Sequence, residues 1–192
     1  MRFSNFMFYE MAMRSGNNLA LYTQPGFVVL FEPSWQWKKA FREQEMDYAE
    51  NLVFGIMEMR DNTMYKTWEV DAVYAQQGYG PFTYLTAMST VYPDGLSPTR
   101  IQTQLTPAAK RVWTEFYSGQ GQKLVKPVPL EGAKHHEEPY LNYKYVINSP
   151  ISTQPMIQKS NAFFKQDRTG EWKDLFLEMT NGLLKAKMSE IY

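Results

Sequence analysis

Gly78 and Gly80 stand one residue apart between an apolar, strand-like run, Trp68-Glu69-Val70-Asp71-Ala72-Val73-Tyr74-Ala75, and a helix-like segment that opens on Pro81. Glycine takes backbone angles that other residues avoid, and proline suits the first helical turn, so free N–H groups converge where the helix begins. That composition suits a phosphate cradle, with the amides of Gln77, Gly78, Tyr79 and Gly80 as its contacts. It equally suits an ordinary tight strand-to-helix turn. Glu69 and Asp71, two apart on the entering strand, point to one sheet face. Buried among Trp68, Val70 and Val73, a carboxylate would have a raised pKa, closer to that of a working general base. On an exposed alternating strand face the same two residues would simply be solvated.

The remaining chemistry is bounded by what the chain lacks. It has no cysteine, which excludes disulfides, thiolate zinc sites and a cysteine nucleophile. His135 and His136 are its two histidines, adjacent in a Lys-His-His-Glu-Glu-Pro stretch. Sequence neighbours rarely share one metal, so the pair reads as a solvated loop and no metal is expected. Lys+Arg and Asp+Glu balance at 20 each, so no global field favours nucleic acid.

A chain of 192 residues with 44% hydrophobic residues can fill one core. The expectation is a single domain over 1–192, with a core at about 19–147 and a C-terminal strand, loop and helix extension at 148–192. Met1–Met13 is apolar but is interrupted by Asn5 and Glu10 and lacks a small-residue cleavage pattern, a poor signal peptide. No apolar run approaches the roughly 20 residues that span a bilayer, so a soluble, cytoplasmic chain without membrane partners is expected.

These residues must be positioned by a sheet and its helices. Phe27–Phe31 is a buried-strand signal, and Ser34 starts a helix to about Tyr48 with Trp37, Phe41 and Tyr48 on one face. Trp113 and Phe116 read as core rather than cofactor stacking, while Trp35 and Trp37, flanked by Lys38 and Lys39, suit either a partner surface or, as the favoured reading, an aromatic-rich helix packing on the sheet. Leu52–Met59 and Met64–Ala75 read as a hairpin turning at Arg60-Asp61-Asn62-Thr63 and leading into the glycine loop. Phe82, Leu85, Ser89 and Tyr92 then repeat at helical spacing up to Pro93-Asp94-Gly95. Thr106-Pro107 starts a further helix, with Ala109, Val112, Trp113 and Phe116 as its stripe and Gly119 as its stop. Lys123–Leu130, with two prolines, suits an edge strand, and Leu141–Ile147 alternates like a half-exposed one. Pro150–Lys165 reads as loop with a short element, and Thr169–Lys187 as an amphipathic helix. The fold class expected is α/β (α+β), a mixed sheet flanked by helices.

Strand, Gly78-x-Gly80 and helix, preceded by an antiparallel hairpin, resemble the acyl-coenzyme A site of the GCN5-related N-acetyltransferases (GNAT). That loop runs Gln or Arg, two variable residues, Gly, one variable residue, then Gly or Ala; here the positions are Ala75 to Gly80, the glycines matching and Ala75 departing. Gly95–Arg100 followed by Leu105–Trp113, and then Leu141-Asn142-Tyr143-Lys144-Tyr145, are similar to small acetyltransferase-like proteins of tailed phages. The resemblance implies a mostly antiparallel GNAT-like sheet, acetyl-CoA as cofactor and direct acetyl transfer to an amine-bearing acceptor, with Glu69 or Asp71 as base. Where the family places Asn, Ala and an acid Tyr, this chain has Thr106, Ala109 and Trp113; Tyr117, one turn on, is the substitute acid. It also leaves open a catalytically inactive phage protein that serves as a virion structural or host-protein interaction module, in the bacterial host cytoplasm or the virion. An open groove at the loop favours the enzyme, and a groove filled by aromatics the module.

Overall fold

The computed structural model describes residues 18–100 and 105–190. Met1–Met13, the stretch read for a signal peptide, lies outside them. Among the described residues seven strands form one sheet, and six α-helices flank it. The strands are β1 (Ala20–Gln24), β2 (Phe27–Phe31), β3 (Val53–Asn62), β4 (Thr67–Ala75), β5 (Leu96–Pro98), β6 (Val125–Pro129) and β7 (Tyr143–Ile147). The helices are α1 (Gln36–Glu43), α2 (Met46–Leu52), α3 (Gly80–Thr90), α4 (Pro107–Ser118), α5 (Gln154–Phe164) and α6 (Glu171–Ser189). None of them is long and apolar enough to cross a membrane.

Spatially the order is β1-β2-β3-β4-β5-β7-β6. Every pairing is antiparallel except β4 with β5, which α3 connects as a crossover. The mixed, mostly antiparallel α+β class expected from the sequence is therefore the class observed. β2 explains its own unbroken apolar run, since Val28 and Leu30 enter one core while Phe27, Val29 and Phe31 enter the other. α3 and α4 cover the first face, burying Tyr84, Met88, Trp113 and Phe116. α1, α2, α5 and α6 cover the second, where Phe31, Trp37, Phe163 and Phe176 pack together. The C-terminal segment expected as an extension contributes Phe163, Phe176, Met179, Leu183 and Leu184 to the core of that face.

Local departures from expectation have local causes. The helix expected from Ser34 to Tyr48 is two helices, because Gln44 takes a left-handed φ of 51° and lets Trp37 and Leu52 reach the same core. The β3–β4 turn falls at 63–66 rather than Arg60–Thr63, since Arg60, Asp61 and Asn62 pair with Glu69, Trp68 and Thr67. Cross-strand opposite charge keeps the polar residues in the ladder. β1, unread in the sequence, is closed onto β2 by Pro25-Gly26, Gly26 having a φ of 78°. The stretch 150–165 contains a full helix, α5: Met156 and Ile157 pack toward one core and Phe163 and Phe164 toward the other, so no single-face period was visible.

Candidate functional site

β4 and β5 run side by side for three pairs, Trp68 with Leu96, Glu69 with Ser97 and Val70 with Pro98, and then part. Two features of the sequence drive them apart. Met59 pairs with Val70 while Glu58 pairs with Ala72, which leaves Asp71 as the extra residue of a bulge that bends β4. Pro98, opposite Val70, has no N–H with which to extend the ladder. Beyond this point lies a cleft of about 530 Å³, walled by Asp71–Ala75, the glycine loop, the start of α3 and one side of α4.

The glycine loop is anchored from below and open above. Gln76 donates its backbone N–H to the Phe54 carbonyl at 3.0 Å and its side-chain amide to the Glu50 carbonyl at 2.9 Å. Tyr79 stacks on Phe54, with ring centroids 4.7 Å apart at 30°. Gly78 turns the chain with a φ of 90°. Tyr79 is the N-cap of α3; its own N–H goes to the Gln76 carbonyl at 3.0 Å. Among the described residues the amides of Gln77, Gly78 and Gly80 have no acceptor, and a Cβ on Gly80 would meet nothing within 4 Å. Free donors at the positive end of a helix dipole suit an anion. Three of the four amides named from the sequence are thus available, and Tyr79 instead braces the loop.

Of the two carboxylates, Asp71 lines the cleft and Glu69 does not. Both reach one guanidinium: Arg60 Nη2 is 3.0 Å from Glu69 Oε1 and 3.3 Å from Asp71 Oδ1. Glu69 is 8% exposed and also accepts from Asn62 Nδ2 at 3.1 Å, so its oxygens are occupied. Burial pushes the Asp71 carboxyl above its ordinary value, Glu69 adds to this, and Arg60 opposes it. A half-exposed carboxylate held in that state can take a proton from a group in the cleft.

Thr106 caps α4, its hydroxyl accepting from the Ala109 N–H at 3.1 Å. Trp113, on the buried side of that helix, meets Tyr84 edge to face at 5.0 Å, and both line the inner cleft. Tyr117 lies one turn further, its ring 5.2 Å from Tyr143, and does not line the cleft.

Comparison with protein-family models, with curated proteins and with solved structures finds no match. What the site can do rests on its own groups.

Several of those groups carry no local signal. Among the described residues the Tyr84 hydroxyl and Trp113 Nε1 are buried without a hydrogen-bond partner, a pair visible only once α3 and α4 are packed. Arg111 of α4 and Lys187 of α6 bring positive charge to the cleft wall. Arg111 falls outside the apolar stripe of Ala109, Val112, Trp113 and Phe116 on its helix; Lys187 arrives from the far end of the chain. Asn142 holds the backbone of His136: the His136 N–H donates to Asn142 Oδ1 at 2.7 Å and the His136 carbonyl accepts from Asn142 Nδ2 at 2.9 Å. Among the described residues no group of three His, Cys, Asp or Glu could hold a metal ion.

Proposed function

We propose that this chain is an acyl-CoA-dependent N-acetyltransferase of GNAT type, transferring acetyl directly from acetyl-CoA to an amine. One observation carries the reading: among the described residues, three amides without an acceptor at the start of α3 open onto a cleft where β4 and β5 part, and no described aromatic side chain fills it. The donor set fits the cofactor's pyrophosphate, since N–H groups of Gln77, Gly78 and Gly80 need an acceptor and Gly80 leaves space for one. Arg111 adds a cation at the wall.

Acetyl-CoA, when bound, supplies the activated acyl group. Asp71 is the base that accepts a proton from the incoming ammonium, and Arg60 orients its carboxylate. Glu69 is a positioning residue for Arg60 rather than the base. Tyr117 would serve as acid only if it left Tyr143, so protonation of the leaving thiolate by solvent is the simpler route.

Calorimetric titration with acetyl-CoA, with a desulfo analogue as control, tests the reading. Micromolar binding supports it. Absence of binding at millimolar cofactor removes it in favour of the second reading, a non-catalytic phage protein that binds a virion or host partner. Trp113 favours that alternative, because a fully buried indole stands where the family places its acid tyrosine.

A further inference from the structure

The cleft has a second wall, which comes from the opposite face of the sheet. α3 and α4 bound it on one side, while the last turns of α6 place Lys187 and Met188 against it beside Tyr74 and Gln76. Among the described residues Lys187 is the only lysine in the cleft wall, and hence the only side-chain primary amine there. Its surroundings are built: Nζ lies 2.9 Å from Glu50 Oε1 of α2 and 3.5 Å from Glu190 Oε1, and the side chain is 24% exposed. Tyr74, on β4 where the cleft opens, donates its hydroxyl to the same Glu50 Oε1 at 3.5 Å.

A surface lysine is a flexible, fully solvated cation, whereas this one is fixed by a carboxylate of another helix and lines the cleft wall. The hydrogen bond from Lys187 to Glu50 holds the amine protonated at rest. That same hydrogen bond gives the proton a defined destination when an electrophile approaches Nζ. An amine and an acyl donor confined to one cleft react at a high effective concentration.

Resting on the acetyl-transfer reading, we propose that Lys187 is an acetyl acceptor of this site, so that the chain acetylates itself within its own cleft. The step balances as follows: Lys187 Nζ gives one proton to Glu50, and its lone pair attacks the thioester carbonyl carbon of acetyl-CoA. The C–N bond forms, the C–S bond breaks, and coenzyme A leaves as a thiolate that is protonated from solvent. Nζ loses its remaining extra proton to solvent and ends as a neutral amide. The product has lost its charge and with it the ion pair that ties α6 to α2.

The full chain is incubated with acetyl-CoA, and acetylation is followed by intact mass and peptide mapping while binding is followed in parallel by calorimetry. The expected result is a single added acetyl group at Lys187, appearing at least about tenfold faster than at the exposed Lys185. Desulfo-coenzyme A should suppress labelling at Lys187 and leave Lys185 unaffected. Lys187→Arg should abolish the fast label, and Glu50→Gln should slow it without changing acetyl-CoA affinity; the wild-type map decides the case even if either variant fails to fold. Acetyl-CoA binding with Lys187 labelled no faster than Lys185 overturns self-acetylation and leaves the transferase reading standing. Failure of the wild type to bind acetyl-CoA overturns both.

Discussion

Gly55 of β3 and Thr83 of α3 meet with no room for a side chain between them: a Cβ on Gly55 would lie 2.9 Å from Thr83 Cγ2 and closer still to its hydroxyl oxygen. That hydroxyl donates to the Tyr79 carbonyl at 2.9 Å, tying the seat of the helix to the glycine loop. The seating of α3 beside the loop therefore needs a residue without a Cβ at position 55 of β3. Gly55→Ala should destabilise the fold by about 1–3 kcal/mol through overpacking. Thr83→Ala in the same chain should recover part of that loss, the two changes being non-additive. Denaturant unfolding of the four proteins of the cycle measures it; a neutral Gly55→Ala would mean that α3 is not seated against β3.

Gly80 behaves in the opposite way. Among the described residues nothing lies within 4 Å of its Cβ position and its φ is ordinary, so a large side chain costs the fold little there. Gly80→Trp should keep the wild-type melting temperature and lose acetyl-CoA binding, because only entry to the three free amides is blocked. Unchanged affinity in a folded variant would take the loop out of the site.

Among the described residues the buried Tyr84 hydroxyl has no partner, and burial pushes its pKa above that of an ordinary tyrosine. A hydroxyl that is desolvated without a hydrogen bond contributes nothing to stability, so Tyr84→Phe should be neutral or gain about 1 kcal/mol. Trp113, with no exposed surface, should cost about 3–5 kcal/mol on replacement by alanine. A substantial loss on Tyr84→Phe, read by thermal unfolding, would show that the hydroxyl is bonded in solution.

Asp71 sets a pH dependence whose sign can be worked out. Its folded pKa is raised above the ordinary 3.8, by burial first and then by Glu69, with Arg60 opposing. The folded state therefore holds this proton more tightly than the unfolded chain, and between 3.8 and the raised value stability falls as pH rises. A base role runs the other way, since any transfer that needs the carboxylate rises with pH through that same window. Arg60→Met should move the Asp71 midpoint higher still, as the one opposing charge is gone. Carboxyl-carbon NMR titration of wild type and variant reads both values, and a midpoint that falls in Arg60→Met would contradict the pairing.

Much of the fold was legible locally. The Thr106 cap, the all-apolar β2, the proline-bearing β6 at the sheet edge and α6 with its stripe of Phe176, Met179 and Leu183 all follow from dihedral preference, capping chemistry and periodicity. Those signals are written within a few neighbouring residues. α5 and β1 were not legible, because their apolar residues divide between two cores or are too few to show a period.

The candidate site divides in the same way. By itself the sequence determined that Gly78-x-Gly80 would turn a strand into a helix start and that Asp71 would stand close upstream, since both depend on adjacent backbone geometry. Only the tertiary structure decided that the loop faces an open cleft, that Arg60 binds Glu69 and Asp71 together, and that Lys187 closes the far wall. Each of those depends on strand register, a bulge at Asp71 and the packing of the last helix on the second sheet face. Such contacts join residues distant in sequence, and no local preference of either partner specifies them.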